Sequence, residues 1–150
     1  MNYQQHIDIN LNRDRVIKLF NSTENLKKWQ PGLISFEHLS GEPGEVGAKS
    51  RIVYQMGKRE CTMVETIISN SFPEEFIAEY HSKGVHNKVI NQFEIVDENT
   101  TRWVSQNEFK FENFMMKLMG WLMPGLFKKE SYKFMQYFKD FAEQKQDPTK

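Results

Sequence analysis

A single cysteine, Cys61, stands among 150 residues, which rules out an intramolecular disulfide and fits a reducing, cytoplasmic setting. Excess charge is missing as well. The 20 Lys and Arg balance 20 Asp and Glu, so the basic footprint that non-specific nucleic-acid binding needs is absent. The first residues, MNYQQHIDINLNRDR, lack a basic region followed by an apolar one, so no secretory leader is expected, and the sequons at Asn21 and Asn99 read as chance matches. No apolar run reaches the roughly 20 residues that cross a bilayer. The four histidines, His6, His38, His81 and His86, are scattered without metal-ligand spacing, so neither a metal nor a cofactor is expected. What the chain has in quantity is 12 Phe, 8 Met, 5 Tyr and 3 Trp. Its length predicts one domain over 1–143, able to bury about 68–70% of its unfolded surface, followed by a polar tail over 144–150.

Periodicity supplies the element order. Tyr3, Gln5, Ile7, Ile9 and Leu11 alternate with polar residues, as in a half-buried strand. Asn12 is placed to cap a short helix carrying Val16, Ile17, Leu19 and Phe20, and Ser22 to cap a second that ends near Trp29-Gln30-Pro31-Gly32. From Leu33 to Phe111, turn residues recur between short β-rich runs, which predicts six more strands in a meander. Beyond Phe111 the period changes to about 3.6, and one amphipathic helix is expected from about 126 to 143. The plan is α+β: a curved seven-stranded antiparallel sheet wrapped around a long C-terminal helix, with two short helices between strands 1 and 2.

The same alternation assigns faces. Trp103, Ser105, Asn107, Phe109 and Phe111 point inward on the last strand, and Asn87, Val89, Asn91, Phe93 and Ile95 on the one before. Tyr54 and Met56, Phe76 and Tyr80, and more weakly Cys61, Met63 and Glu65 complete the inner face. Several of these residues are polar, and an unsatisfied buried polar group costs roughly 1–3 kcal/mol. Either they line a cavity holding water or a ligand, or they bond one another at the sheet's open end, or a bulge turns some outward.

In this element order, with Trp29-Gln30-Pro31-Gly32, Gly41-Glu42-Pro43-Gly44-Glu45-Val46-Gly47-Ala48, Met63-Val64-Glu65-Thr66, Thr101-Arg102-Trp103 and Lys139-Asp140-Phe141-Ala142-Glu143, the chain resembles the START/SRPBCC superfamily. That superfamily has the helix-grip fold and includes birch-pollen-type allergens, polyketide cyclases and lipid-transfer domains. The resemblance spans nearly the whole chain and implies an apolar pocket between sheet and C-terminal helix. Its expected wall is Tyr54, Met56, Met63, Tyr80, Phe93, Trp103 and Phe109 from the sheet, with Phe134, Met135 and Phe138 from the helix. Asn91, Asn107 and Glu65 would orient a ligand.

Glu65 is the one candidate for acid/base work, because a carboxyl in an apolar pocket has a raised pKa. Two other roles stay open to it: anchoring a ligand hydroxyl, or facing solvent beside Arg51. Cys61 reads as a small core residue, and Gly41, Gly44 and Gly47 serve a tight connection rather than a phosphate cradle. The unusual stretch is 114–127, rich in methionine and carrying one charge, Lys117. It is expected to fill the end of the sheet as a half-buried helix, or to serve as a lid with Met119 and Met123 at the pocket mouth, a homodimer face or a peripheral membrane contact; Trp121 would be the exposed aromatic in the last two cases. The leading functional expectation is binding or transport of a small hydrophobic molecule: a lipid, fatty acid, polyketide or terpenoid. The alternatives are a cyclase/dehydrase-like enzyme acting on a carbonyl substrate in the same cavity, and a protein-interaction module of the chaperone-activating type.

Overall fold

The structure, a computed structural model, describes residues 1–144, the side chains of residues 119 and 120 excepted. Strand β1 (Asn2–Ile9) leads into helix α1 (Arg13–Phe20). Asn12 caps α1 as its position predicts: its side-chain oxygen accepts from the Arg15 amide at 2.9 Å, with Asp14 in the first turn and Lys18 in the last. Ser22 departs from expectation. It precedes a 3-10 turn (Thr23–Asn25), where its carbonyl rather than its hydroxyl is bonded, by the Asn25 amide at 3.1 Å. The turn runs into the single-turn helix α2 (Leu26–Trp29).

Pro31 and Gly32 then redirect the chain. Gly32 has a φ of 81°, and its carbonyl accepts from the Gln55 amide at 2.7 Å, so the turn is tied to the sheet it is about to join. Six strands follow as the turn spacing predicts: β2 (Leu33–Ser40), β3 (Lys49–Met56), β4 (Arg59–Ser71), β5 (Glu75–Ser82), β6 (Val85–Asp97) and β7 (Thr100–Phe111). Helix α3 (Phe114–Leu122) comes next, and α4 (Pro124–Gln144) closes the described chain. The long helix thus starts earlier than the apolar periodicity suggests, with proline in the first turn, where its missing N–H is no loss. Gln144 belongs to α4, and the rest of the expected tail lies outside the described residues.

The strands form one antiparallel sheet in the order β1-β7-β6-β5-β4-β3-β2. Its first edge is covered by α4. Lys139 Nζ donates to the Asp8 carbonyl at 2.7 Å and to Glu143 at 2.6 Å, and Gln5 Nε2 donates to the Lys128 carbonyl at 2.7 Å. The inward sets read from alternation hold along most of each strand, with two exceptions at strand ends. Ile95 is 62% exposed beside a register shift at the β6–β7 turn, and Met56 is 58% exposed next to Gly57 in the β3–β4 turn. No described helix is long and apolar enough to cross a membrane.

Candidate functional site

The concave face divides into two regions. At one end α1, α2 and the second half of α4 close onto the sheet. Phe20 sits at the centre, its ring 5.1 Å from Phe93, 5.4 Å from Trp103, 5.6 Å from Phe138 and within 6.4 Å of Trp29, Phe72 and Phe76. Phe93, Trp103, Met135 and Phe138 are almost fully buried in this cluster. Of the residues expected along the wall, these four pack in the core cluster. Phe20 brings them together: it follows Val16 by one helical turn and faces the sheet with it.

The polar residues of this end are satisfied from within the protein. Asn91 Oδ1 accepts from Trp103 Nε1 at 2.9 Å, while its Nδ2 donates to the Phe76 carbonyl at 3.3 Å. Asn91 therefore positions the indole. Asn107, also buried, donates to Ser105 Oγ and accepts from Asn87 Nδ2, each at 3.4 Å. The expectation that such groups bond one another describes Asn87, Ser105 and Asn107, whereas Asn91 bonds the Trp103 indole and the Phe76 carbonyl.

Toward the β3–β4 and β5–β6 turns the face is different. Register places Ser50, Glu65, Tyr80, Asn87 and Phe109 in one row across five strands. Of these only Ser50 is buried; Glu65, Tyr80, Asn87 and Phe109 stay partly accessible although β4, β5 and β6 lie inside the sheet, and so do Tyr54 and Met63 beside them. Tyr80 Oη donates to Glu65 Oε2 at 2.8 Å. Tyr54 Oη donates to Gln30 Oε1, and its ring meets Phe134 of α4 edge-on at 6.2 Å. On the opposite side Phe127 packs on Phe109 and Phe111 at 5.2 and 5.7 Å, and the Tyr3 hydroxyl bonds Ser131. Sequence reading missed Gln30, Tyr3, Phe127 and Ser131, which come from elements distant in the chain. Phe127 and Ser131, four residues apart on α4, were the detectable pair.

The electrostatics of the row follow from its depth. Burial pushes the Glu65 carboxyl above the ordinary glutamate range, and the bond from Tyr80 offsets this only in part. Burial also pushes the Tyr54 and Tyr80 phenols up, with the Glu65 charge adding to both, so each remains a donor. A carboxyl with a raised folded-state pKa binds more protons in the native than in the unfolded chain, so stability falls as pH rises from the ordinary value of 4.5 toward the folded one. Glu65→Gln is therefore expected to be more stable than the parent at neutral pH and to lose that advantage near pH 4, about where unfolded glutamates protonate. Thermal melts of both proteins across that interval test this, and a difference independent of pH would show that the Glu65 charge is not desolvated.

The other candidates separate. Met123 is 49% exposed at the α3–α4 junction, and the Met119 side chain lies outside the described residues. His81 and His86 are not scattered in space: they stack across β5 and β6 at 4.0 Å on the convex face, with His86 Nε2 3.3 Å from Glu79. Among the described residues no three such groups converge as a metal site. Two open clefts, of about 440 and 260 Å³, lie at Arg13, Glu74 and Glu94 and at Lys27, Trp29 and Asp140; neither includes Glu65 or Tyr80.

No protein-family model and no curated protein matches the chain, but solved structures share its architecture over almost its whole length. The Zhui aromatase/cyclase from Streptomyces sp. R1128 superposes with a TM-score of 0.81 at 11% identity, covering 99% of this chain and 97% of that one. Norcoclaurine synthase from Thalictrum flavum, in complex with dopamine and hydroxybenzaldehyde, gives 0.73 at 10% identity, covering 96% and 87%. A protein from Thermus thermophilus gives 0.75 at 15% identity, covering 98% and 100%. Likeness at these identities establishes the fold alone: this chain shares with these proteins a curved seven-stranded antiparallel sheet gripping a long C-terminal helix.

Proposed function

We propose that the protein binds a small hydrophobic molecule, of the lipid, fatty acid, polyketide or terpenoid kind, in a hollow between the concave sheet and the first half of α4. One observation carries this reading. Glu65 and Tyr80 lie mid-sheet on the inner face, yet keep accessible surface and use each other as polar partner. At the Phe20 end the inward-facing Phe93 and Trp103 of the same sheet keep only 2 and 5% of their surface. Tyr54, Met63, Phe109 and Phe134 supply apolar area around the pair, and ligand sites combine such walls with a few placed polar groups. Burying ligand surface contributes roughly 25 cal/mol per Å² before ordering costs. The aromatase/cyclase and the norcoclaurine synthase complex support a small-molecule role for this architecture.

Native mass spectrometry of the protein purified from its own host, against the same sample denatured, tests the proposal. The expected result is a reproducible adduct in the native spectrum that disappears on denaturation. A bare mass in both states, with no uptake of a fatty-acid probe, overturns it. A second reading, acid/base catalysis on a bound carbonyl compound, is favoured by the upward shift of the Glu65 carboxyl and by the phenol donor beside it. Under that reading Glu65→Gln abolishes turnover while binding persists.

A further inference from the structure

A run of exposed apolar residues lies at α3 and the start of α4. Phe114, Met115, Trp121 and Leu122 are 74, 71, 78 and 61% exposed, and Met123 and Leu126 continue the surface. On α3, Phe114 and Trp121 are seven residues apart, as are Met115 and Leu122, so they share one side of the helix. Its other side is anchored. Asn113 Oδ1 caps it, accepting from the Met116 amide at 2.8 Å, and the Met116 side chain packs toward Gly84 in the β5–β6 turn. Exposed apolar groups in such a row mark a contact surface.

Charge identifies the occupant. From Asn113 to Lys129 the chain carries Lys117, Lys128 and Lys129 and no acidic residue, and all three lysines are exposed. The nearest carboxylate downstream, Glu130, is held by Lys133 at 3.3 Å, and Glu112 lies just ahead. Two copies meeting through this face would bring two lysine sets together with no carboxylate inside the segment to pair them. Anionic lipid headgroups pair them directly while the tryptophan and its neighbours enter the interfacial layer. We propose that α3 and the α3–α4 junction form a docking element for an anionic membrane surface. The inference rests on the exposed side of α3 and does not require the proposed ligand hollow.

Flotation of the full chain with phosphatidylcholine vesicles, with and without phosphatidylserine, tests it. Binding is expected only to the anionic vesicles, and is expected to weaken about fivefold for each of Lys117→Gln and Lys129→Gln. It should be lost in the Met115→Ser/Trp121→Ser double variant, whose exposed positions leave the fold intact by circular dichroism. Absence of binding, or equal binding to neutral vesicles, overturns the proposal. So does concentration-dependent dimerisation abolished by Trp121→Glu, which would give the face to a second copy. Uptake of a fatty-acid probe in vesicle-free solution should survive the double variant. Loss of that uptake would place the segment in the hollow and overturn docking, whereas vesicle binding without uptake would sink only the ligand proposal.

Discussion

Replacing Phe138 by alanine is expected to lower the unfolding free energy by about 3–5 kcal/mol, the range for deleting a buried phenylalanine from a packed core. The ring is fully buried and meets those of Phe20, Trp29, Trp103 and Phe141 from a single position on α4. Truncation leaves a void walled by stiff aromatic rings, which collapse poorly, so the upper part of the range applies. For a chain of this size the melting temperature should fall by about 10 °C or more. Urea titration is the direct test: the midpoint should drop at unchanged slope. A midpoint equal to the parent's would mean that Phe138 lines an empty space after all, and the division of the inner face into core and accessible regions would be wrong.

Gly32→Ala is expected to have the next largest effect, and to act on the site as well as on stability. An added Cβ would lie 2.5 Å from the Gln55 carbonyl oxygen, a backbone atom inside β3 that cannot rotate away. The left-handed backbone alone costs an L-residue roughly 1–2 kcal/mol, and displacing the turn from β3 adds to it. That turn also carries Gln30, the acceptor of the Tyr54 hydroxyl. The variant should therefore combine a lower denaturation midpoint with weaker uptake of a fatty-acid probe, by releasing the Tyr54 side chain. A destabilised variant with full uptake would show that the Gln30–Tyr54 bond does not shape the site.

Much of this architecture is legible in the residues themselves. Strict alternation in β7 separates Trp103, Ser105 and Asn107 from Arg102, Gln106 and Glu108, and even the weaker pattern of β4 puts Glu65 inside. Local patterns fail where a position is decided by contact between distant segments. Nothing near Phe93 or Trp103 reveals that Phe20 occupies the space before them. That Tyr80 stands opposite Glu65 depends on the β4–β5 register, which a bulge between Ile67 and Ser69 shifts midway. Polar residues on an inner face are likewise ambiguous from sequence: Asn91 and Glu65 look alike there, and only their partners show that one is spent on Trp103 and the other bonds only a neighbouring phenol.

The pairing of β1 with β7 bears on the order in which the molecule can be assembled. Asp8 meets Arg102, 94 residues further on, and Tyr3 meets Ser131, 128 further on. A ribosome delivers the chain from its N-terminus, so the first strand emerges with no partner while the meander from β2 to β6 builds by short hairpins beside it. Until β7 is made, β6 is an open edge, and Ile7 and Ile9 have nothing to cover them. Made after the meander, β7 and α4 act as a clasp, β7 joining β1 to the sheet and α4 then lying across it. Interruption of translation before residue 100 leaves a fragment with both a bare edge and an apolar strand exposed, the combination that chaperones retain.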